Sequence, residues 1–242
     1  MVNGIRSSEF GMRNYFLNSA DKWSEQFLSP CTPLMAQLIT INQNNLHESI
    51  IHGVSVLTAG GIVAFPTDTV YGVGADAFNP SAVEKIYAAK KRPKDKPLAV
   101  LVASFRDVLK LATNLPAAFE RVATAFWPGA LTIVVKADSD LPVEITAGGN
   151  TVGVRMPDNP IALKLIAAFG KPLATTSANL SGEREAITAE EVQASLGDKI
   201  DLILDGGATK KKVVSTVLDL SVKPPVILRH GQISPEQIAD VF

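Results

Sequence analysis

Five basic side chains cluster in one short segment of the sequence, and their types suggest contact with phosphate. These residues are Lys90, Lys91, Arg92, Lys94 and Lys96. Prolines at 93 and 97 interrupt any helix here, so the segment is predicted to be a loop at a helix end. One arginine fork and several ammonium groups suit a polyphosphate, whose charge must be neutralised before a nucleophile can approach. For Lys90 and Lys91 alone, compensation of a helix macrodipole would explain the pattern equally well.

Two hydroxyl-rich turns come after predicted strands and indicate a small-ligand pocket. Residues 67–69 come after the first predicted strand, and residues 175–179 after the strand that begins at Pro172. Arg155 and Arg229 each close a further predicted strand. Side chains of these types at the carboxyl ends of α/β strands commonly contact ligands. Any one hydroxyl could simply cap a turn, but their joint occurrence favours the pocket.

The elements that must position these residues alternate between helical and strand patterns. A helical pattern runs from Leu46 to the glycines at 60–61, and Asn79 followed by proline predicts the start of another helix. Asp158 is predicted to cap a helix that Gly170 closes. Short apolar runs between such helices are typical of strands in a covered sheet.

The predicted fold is an α/β domain with a mixed sheet. The strand candidates 131–135 and 151–156 have no helix between them, so this pair is predicted to be antiparallel. The segment 72–77 matches a GxGxxA dinucleotide fingerprint, but it neither follows a strand directly nor opens a helix. A nicotinamide or flavin site is therefore not predicted.

Composition excludes several classes of protein. The chain has 242 residues, of which 46% are hydrophobic and 19% charged, as in globular proteins. The formal net charge of -1 provides no global basic field for nucleic acid. The single cysteine, Cys31, permits no intramolecular disulfide and no multi-cysteine metal site. The single cysteine fits a reducing cytosol, so we expect a cytoplasmic protein. No apolar run reaches transmembrane length, so no membrane partner is expected.

The first 34 residues differ from the rest of the chain. They show no sustained periodicity, and residues 4–10 resemble a translated cloning linker. We expect residues 1–34 to be a leader that is disordered or derives from cloning, and residues 35–242 to form the catalytic domain.

Seven sequence blocks, in unbroken order, resemble the YrdC/Sua5 family. They lie at 61–72, 90–93, 128–132, 154–157, 176–182, 215–217 and 228–231. The resemblance implies a twisted mixed parallel and antiparallel sheet with surrounding helices and a large basic cavity. It also implies the short, single-domain form of the family.

The activity implied by this resemblance is L-threonylcarbamoyladenylate synthesis. Family members join L-threonine, bicarbonate and ATP to give threonylcarbamoyl-AMP and pyrophosphate. The product serves threonylcarbamoyladenosine (t6A) formation at position 37 of tRNAs, so a downstream tRNA threonylcarbamoyl transferase complex is the implied partner. Mg²⁺ is expected to accompany ATP. Because no paired-carboxylate motif is present, no protein metal ligand is predicted.

The resemblance also implies roles for individual residues. Lys90 and Arg92 would be catalytic and would hold the triphosphate together with Lys96. Threonine would be held by Thr69, Arg155 and Thr175. The rest of the nucleotide would be surrounded by Thr151, Ser177, Asn179, Ser215 and Arg229.

Two alternatives remain at this stage. One is an RNA-binding module that docks double-stranded RNA or tRNA in a basic cavity, supported by the basic loop and by Lys210, Lys211 and Lys212. The near-zero net charge and the lack of interleaved aromatic residues argue against it, although weak RNA binding stays open. The other is the related domain of hydrogenase-maturation carbamoyltransferases, which carry zinc-finger cysteines that this chain lacks.

Overall fold

The computed structural model describes residues 35–209 and 213–242. The predictions for the leader at 1–34 and for Lys210, Lys211 and Lys212 therefore lie outside the described residues.

Strands and helices alternate along most of the described chain. The strands are β1 (Gln37–Thr40), β2 (Val63–Pro66), β3 (Tyr71–Asp76), β4 (Ala99–Leu101), β5 (Leu131–Lys136), β6 (Thr151–Arg155), β7 (Leu173–Ser177), β8 (Leu202–Asp205), β9 (Thr216–Asp219) and β10 (Val226–Arg229). The helices are α1 (Leu46–Thr58), α2 (Pro80–Lys90), α3 (Phe105–Val108), α4 (Ala118–Phe126), α5 (Val143–Thr146), α6 (Pro160–Phe169), α7 (Ala189–Leu196) and α8 (Pro235–Ala239). The predicted α/β class is confirmed.

All of these strands form one mixed sheet. Its order is β1-β8-β2-β3-β7-β4-β6-β5-β9-β10. The pairs β1–β8, β2–β8, β4–β6 and β5–β9 are parallel, and the other neighbouring pairs are antiparallel. The antiparallel pairing predicted for β5 and β6 is confirmed.

Apolar side chains form two clusters on opposite faces of this sheet. In β2, Val63 and Phe65 belong to the smaller cluster, whereas Ala64 between them belongs to the larger one. Because successive strand side chains point to opposite faces, the two clusters are separate layers. The smaller layer includes residues of α1 and α6, and the larger includes residues of α2, α4 and α7. Helices therefore contribute to the apolar layers on both faces of the sheet.

Strand β3 was missed by sequence analysis. It is fully buried and pairs with β2 and β7 on either side. Its glycines allow that close packing: a Cβ added at Gly72 would lie 3.0 Å from Thr175 Cγ2, and one at Gly74 would lie 3.1 Å from Phe65 Cε1. The rejected dinucleotide fingerprint is thus part of a strand.

The helix caps confirm one prediction and correct another. Asn79 accepts a hydrogen bond from the Ala82 N–H at the start of α2, as predicted. At the start of α6, however, the cap is Asn159 and not Asp158, because the Asn159 side chain accepts from the N–H groups of Ile161 and Ala162. Either residue type can cap a helix, and the proline at 160 occupies the first helical position after Asn159.

No helix within the described residues is long and apolar enough to cross a membrane.

The corrected cap gives a stability prediction. Asn159→Ala should lower the free energy of unfolding by about 1 kcal/mol, because two N–H groups at the start of α6 lose their acceptor. Asp158→Ala is the matched control, and it should change the free energy by less than about 0.5 kcal/mol. Equilibrium urea unfolding of both variants measures the difference. A larger loss in Asp158→Ala would show that the cap has been assigned to the wrong residue.

Candidate active site

A cavity of about 400 Å³ lies on one face of the sheet. Along β5, Leu131, Ile133 and Val135 belong to the larger apolar layer, whereas Thr132 and Val134 line the cavity. The alternation of side chains therefore gives this strand one face for the core and one for the cavity.

Most of the central strands contribute to the cavity wall. The lining residues from strands include Gly72, Ala99, Leu101, Thr132, Val134, Thr151, Gly153, Arg155, Thr175, Thr176, Ser177, Val217, Leu228 and Arg229. Loop residues that join them include Thr67, Thr69, Val70, Arg92, Pro97, Glu185 and Ser215.

Arg155 is the most strongly anchored cation of the cavity. Its Nε donates to the Gly129 carbonyl at 2.9 Å, Nη1 donates to Thr69 Oγ1 at 3.2 Å, and Nη2 donates to Asp68 Oδ1 at 2.5 Å. Burial lowers the pKa of this guanidinium and Arg229 lowers it further, whereas Asp68 raises it. Three of five N–H groups are used in these bonds. Among the described residues, none accepts the second N–H of Nη1 or of Nη2. These two N–H groups therefore remain for a ligand.

Arg229 forms a second anchored group at the end of β10. Its Nε donates to the Ser215 carbonyl at 3.0 Å, and its Nη2 donates to Ser215 Oγ at 2.9 Å. Thr132 Oγ1 lies 2.9 Å from the same Ser215 oxygen. Burial lowers the pKa of Arg229, and Glu185 opposes that shift. Ser215, just before β9, thereby joins the Arg229 guanidinium of β10 to the Thr132 hydroxyl of β5.

Arg92 reaches the cavity from the basic loop. Its Nε donates to the Lys96 carbonyl at 3.1 Å and its Nη2 to the Pro97 carbonyl at 2.8 Å. Tyr87 lies against the same loop, because its hydroxyl is 3.0 Å from the Lys96 carbonyl and 2.8 Å from the Glu144 carbonyl. The predicted loop is confirmed, and the Arg92 side chain closes it by donating to carbonyls four and five residues later in the chain. The Lys96 side chain is exposed and does not line the cavity.

The turn between β2 and β3 is held by its own hydroxyls. Thr67 Oγ1 donates to the Val70 carbonyl at 2.6 Å and also accepts from the Thr69 N–H at 3.1 Å. Thr69 Oγ1 lies beside it at 2.9 Å and accepts from Arg155. Thr175 lines the neighbouring wall, where its hydroxyl donates to the Leu173 carbonyl. The turn is therefore held by its own side chains before any ligand arrives.

Two of the predicted site residues lie behind the cavity wall. Lys90 is only 1% exposed, and its Nζ donates to the carbonyls of Ser177 and Asn179. Burial lowers the pKa of Lys90 to about 8, with a further lowering by Arg92. Asn179 is buried as well, and its side-chain amide donates to the carbonyls of Leu180 and Glu183. Neither Lys90 nor Asn179 lines the cavity.

The structure thus brings most of the predicted residues together. Those that line the cavity are Thr69, Arg92, Thr151, Arg155, Thr175, Ser177, Ser215 and Arg229, and those that do not are Lys90, Lys96 and Asn179.

Glu185 is a cavity residue that sequence analysis missed. It is the one carboxylate among the described lining residues, where three guanidiniums are also present. It raises the pKa values of both Lys90 and Arg229. The sequence around it, with charged residues at 183, 184 and 185, looks like an ordinary surface loop. No local signal separates Glu185 from its neighbours.

The cavity residues do not form a protein metal site. Within residues 35–209 and 213–242, no group of three or more His, Cys, Asp or Glu side chains could hold a metal ion. A divalent cation held by protein alone needs several oxygen ligands, and the described cavity lining supplies only one carboxylate.

Three guanidiniums line one open face of this mixed α/β sheet, an arrangement that suits a small anionic ligand. The family model "Sua5_yciO_yrdC", described as "Telomere recombination", matches residues 55–231. The chain belongs to this family, which confirms the resemblance found in the sequence.

Three similar proteins illustrate the relationship. A threonylcarbamoyl-AMP synthase of Pyrococcus abyssi is 42% identical over 208 residues, which cover 86% of this chain and 61% of the relative. A threonylcarbamoyl-AMP synthase of Bacillus subtilis is 46% identical over 194 residues, covering 80% of this chain and 56% of the relative. The crystal structure of P. abyssi Sua5 complexed with L-threonine has a TM-score of 0.81 at 42% identity, covering 86% of this chain and 60% of the other. The chain thus spans about three fifths of the length of these relatives.

The ion pair between Asp68 and Arg155 gives the second prediction. The two side chains are only 10% and 8% exposed, so Asp68→Asn should lower the free energy of unfolding by about 3 kcal/mol. The loss arises because the Arg155 charge stays buried without its counter-ion. Glu84→Gln is the control: it removes the partner of Lys94 in an exposed pair, at 40% and 72% exposure, and should cost less than about 1 kcal/mol.

Equilibrium urea unfolding of the two variants decides this prediction. Equal and small changes in both would show that the Asp68 carboxylate contributes nothing particular to the placement of Arg155.

Proposed function

We propose that the chain is an L-threonylcarbamoyladenylate synthase, which makes threonylcarbamoyl-AMP and pyrophosphate from L-threonine, bicarbonate and ATP. The observation that carries the proposal is one cavity with separately anchored cations, Arg155 beside Thr69 and Arg229 beside Ser215. A reaction between two anions needs such an arrangement, since each anion must be held while their mutual repulsion is reduced. The relatives named above carry this activity in their names.

The proposed reaction has two bond-forming steps. The amine of threonine attacks the carbon of bicarbonate, and water leaves to give a carbamate. A carbamate oxygen then attacks the α-phosphorus of ATP, and pyrophosphate leaves with the electron pair of the broken P–O bond. No covalent intermediate with the protein is needed. The residues must hold the reactants in line and stabilise the charge that develops on the phosphorus oxygens.

The Arg155 side of the cavity fits the threonine carboxylate. The remaining N–H groups on Nη1 and Nη2 can donate to its two oxygens, which is the paired geometry that arginine favours. The bonds from Arg155 to Gly129, Thr69 and Asp68 hold the guanidinium in place before threonine binds. Asp68 has a second function, because it also accepts the Asp158 N–H at 3.1 Å and so fixes the chain after β6.

The Arg92 and Arg229 side fits the phosphates. Both guanidiniums line the cavity, and each is held by backbone carbonyls that leave other N–H groups for a ligand. Thr132 and Ser215 supply hydroxyls beside Arg229. Lys96, which is exposed on the same loop as Arg92, would approach the outer phosphates from solvent. This role for Lys96 remains a proposal.

ATP is proposed to enter as its magnesium complex. The phosphates and water would supply most ligands of the ion, because the lining contributes the single carboxylate of Glu185.

Further proposals concern the fate of the product. Threonylcarbamoyl-AMP is a reactive mixed anhydride, so it must be consumed by an acyl transfer. We propose that a tRNA threonylcarbamoyl transferase complex accepts it for t6A formation, and that this occurs in the cytoplasm.

The activity is tested by omission. Purified protein is incubated with MgATP, L-threonine and bicarbonate, and pyrophosphate and threonylcarbamoyl-AMP are measured with each component left out in turn. We expect both products only in the complete mixture. Pyrophosphate release without threonine would contradict the proposal. Salt-sensitive binding of tRNA with no product formed would contradict it and favour the RNA-binding alternative.

The third prediction concerns Arg92. Arg92→Ala should lower kcat/KM for ATP at least tenfold, because a charge-assisted hydrogen bond worth about 1.5 to 3 kcal/mol is lost. Arg121→Ala is the matched control, since Arg121 is an exposed arginine of α4 that donates to the Phe242 carbonyl. Thermal melts of both variants exclude unfolding as the cause. Unchanged pyrophosphate release by Arg92→Ala would remove Arg92 from the triphosphate site.

The fourth prediction concerns the choice between threonine and serine. Both have the carboxylate that Arg155 would hold, and only the β-methyl of threonine differs. Apolar side chains such as Val70 and Leu101 line the same cavity and can enclose that methyl. One methyl in an apolar pocket contributes roughly 1 to 3 kcal/mol, so threonine should be favoured about 10 to 200-fold. Equal kcat/KM values in a side-by-side assay would show that the methyl is not enclosed.

A further inference from the structure

Lys90 is a buried cation that lies outside the cavity, although its sequence neighbour Arg92 lines it. It is the last residue of α2, and Lys91 after it adopts a left-handed conformation with φ of 51°. That residue ends the helix and turns the chain toward the loop that carries Arg92. Two basic residues that lie close together in the sequence are thereby placed in different environments.

Both ends of Lys90 hold the turn that comes after β7. Its ammonium donates to the carbonyls of Ser177 and Asn179, and its own backbone carbonyl accepts the Ser181 N–H at 3.0 Å. Asn179 stiffens the turn from within, because its side-chain amide donates to the carbonyls of Leu180 and Glu183 at 2.9 and 2.8 Å. Among the described residues, Lys90 alone therefore joins the turn to the end of α2, by three hydrogen bonds.

This turn carries part of the cavity wall. Ser177 stands at its start and Glu185 shortly after its end, and both line the cavity. Any loosening at Asn179 or Ser181 would move these two side chains relative to the arginines.

We propose that Lys90 is a positioning residue, which fixes the 177–181 turn from behind the cavity wall and does not contact the triphosphate. The consequence for catalysis rests on the proposed function, whereas the attachment of the turn does not.

The cost of moving the Lys90 ammonium to a bound phosphate supports this assignment. To reach a phosphate, the ammonium would have to leave the carbonyls of Ser177 and Asn179, and the buried Asn179 carbonyl would lose its charged partner. Unpaired buried polar groups are strongly disfavoured. Arg92 already supplies a cation to the cavity from the same segment, so no movement of Lys90 is needed to bring charge there.

The test compares Lys90→Met with Lys85→Met. Lys85 lies on the exposed side of the same helix, where its ammonium donates to a single carbonyl, that of Gly60. Hydrogen exchange is measured without ligand, dissociation constants are measured for inorganic pyrophosphate, and kcat is measured for product formation.

We expect Lys90→Met to accelerate amide exchange across residues 177–181 at least tenfold and to lower kcat at least tenfold. The dissociation constant of pyrophosphate should change less than threefold, and Lys85→Met should leave all three quantities near the wild-type values. Unchanged exchange together with a tenfold weaker binding of pyrophosphate would overturn the proposal. The exchange result can be interpreted even if the wild-type protein forms no threonylcarbamoyl-AMP, so failure of the proposed function is distinguishable.

A measurement on the wild-type protein covers the case in which Lys90→Met does not fold. With lysine labelled by ¹⁵N at Nζ, the Lys90 resonance should be unmoved when pyrophosphate is added to saturation. A large shift of that resonance would show direct contact with phosphate and would overturn the proposal.

Discussion

The strict alternation of side chains along a strand is the constraint on which the cavity depends. A strand that is paired on both sides has only two faces, and in β5 one face is apolar and covered by helices while the other carries Thr132 and Val134. Strand β6 repeats the arrangement, with Val154 in the core and Arg155 in the cavity. A shift of one residue in either register would exchange the two sets. The polar wall is therefore specified by the same pairing that specifies the core.

Placing arginines on such a surface requires partners that satisfy them without neutralising the cavity. Arg155 has a carboxylate partner in Asp68, which compensates the charge of the most buried guanidinium. Arg92 and Arg229 are instead held by neutral backbone carbonyls, so their charges remain available to an anion. At the Arg155 end, the cavity therefore offers a fixed hydrogen-bonding geometry. At the Arg92 and Arg229 end, it offers positive charge that no carboxylate of the described residues pairs with directly. Such a difference suits a carboxylate at the first end and phosphates at the second.

Local sequence signals predicted the elements better than they predicted the site. The Asn79 cap, the antiparallel β5–β6 pair and the loop at Pro93 each depend on residues close in sequence, and each was found. Strand β3 was missed because its glycines, which allow close packing against β2 and β7, have no side chains to show a pattern. Glu185 was missed because only the folded chain separates it from the charged residues beside it. The resemblance to a family supplied the remaining residues, but it could not say which of them reach the cavity.

The basic segment shows why a cluster of charges in sequence is not one surface in the fold. Lys90 is buried against the 177–181 turn, Arg92 lines the cavity, and Lys94 forms an exposed ion pair with Glu84. Two features separate them: the left-handed Lys91, which ends α2, and the loop that Arg92 closes through the Lys96 carbonyl. Desolvation makes a buried ammonium costly unless carbonyls surround it, and the end of β7 supplies such carbonyls. The placement of Lys90 is therefore determined by where backbone acceptors are available and not by where a ligand carries negative charge.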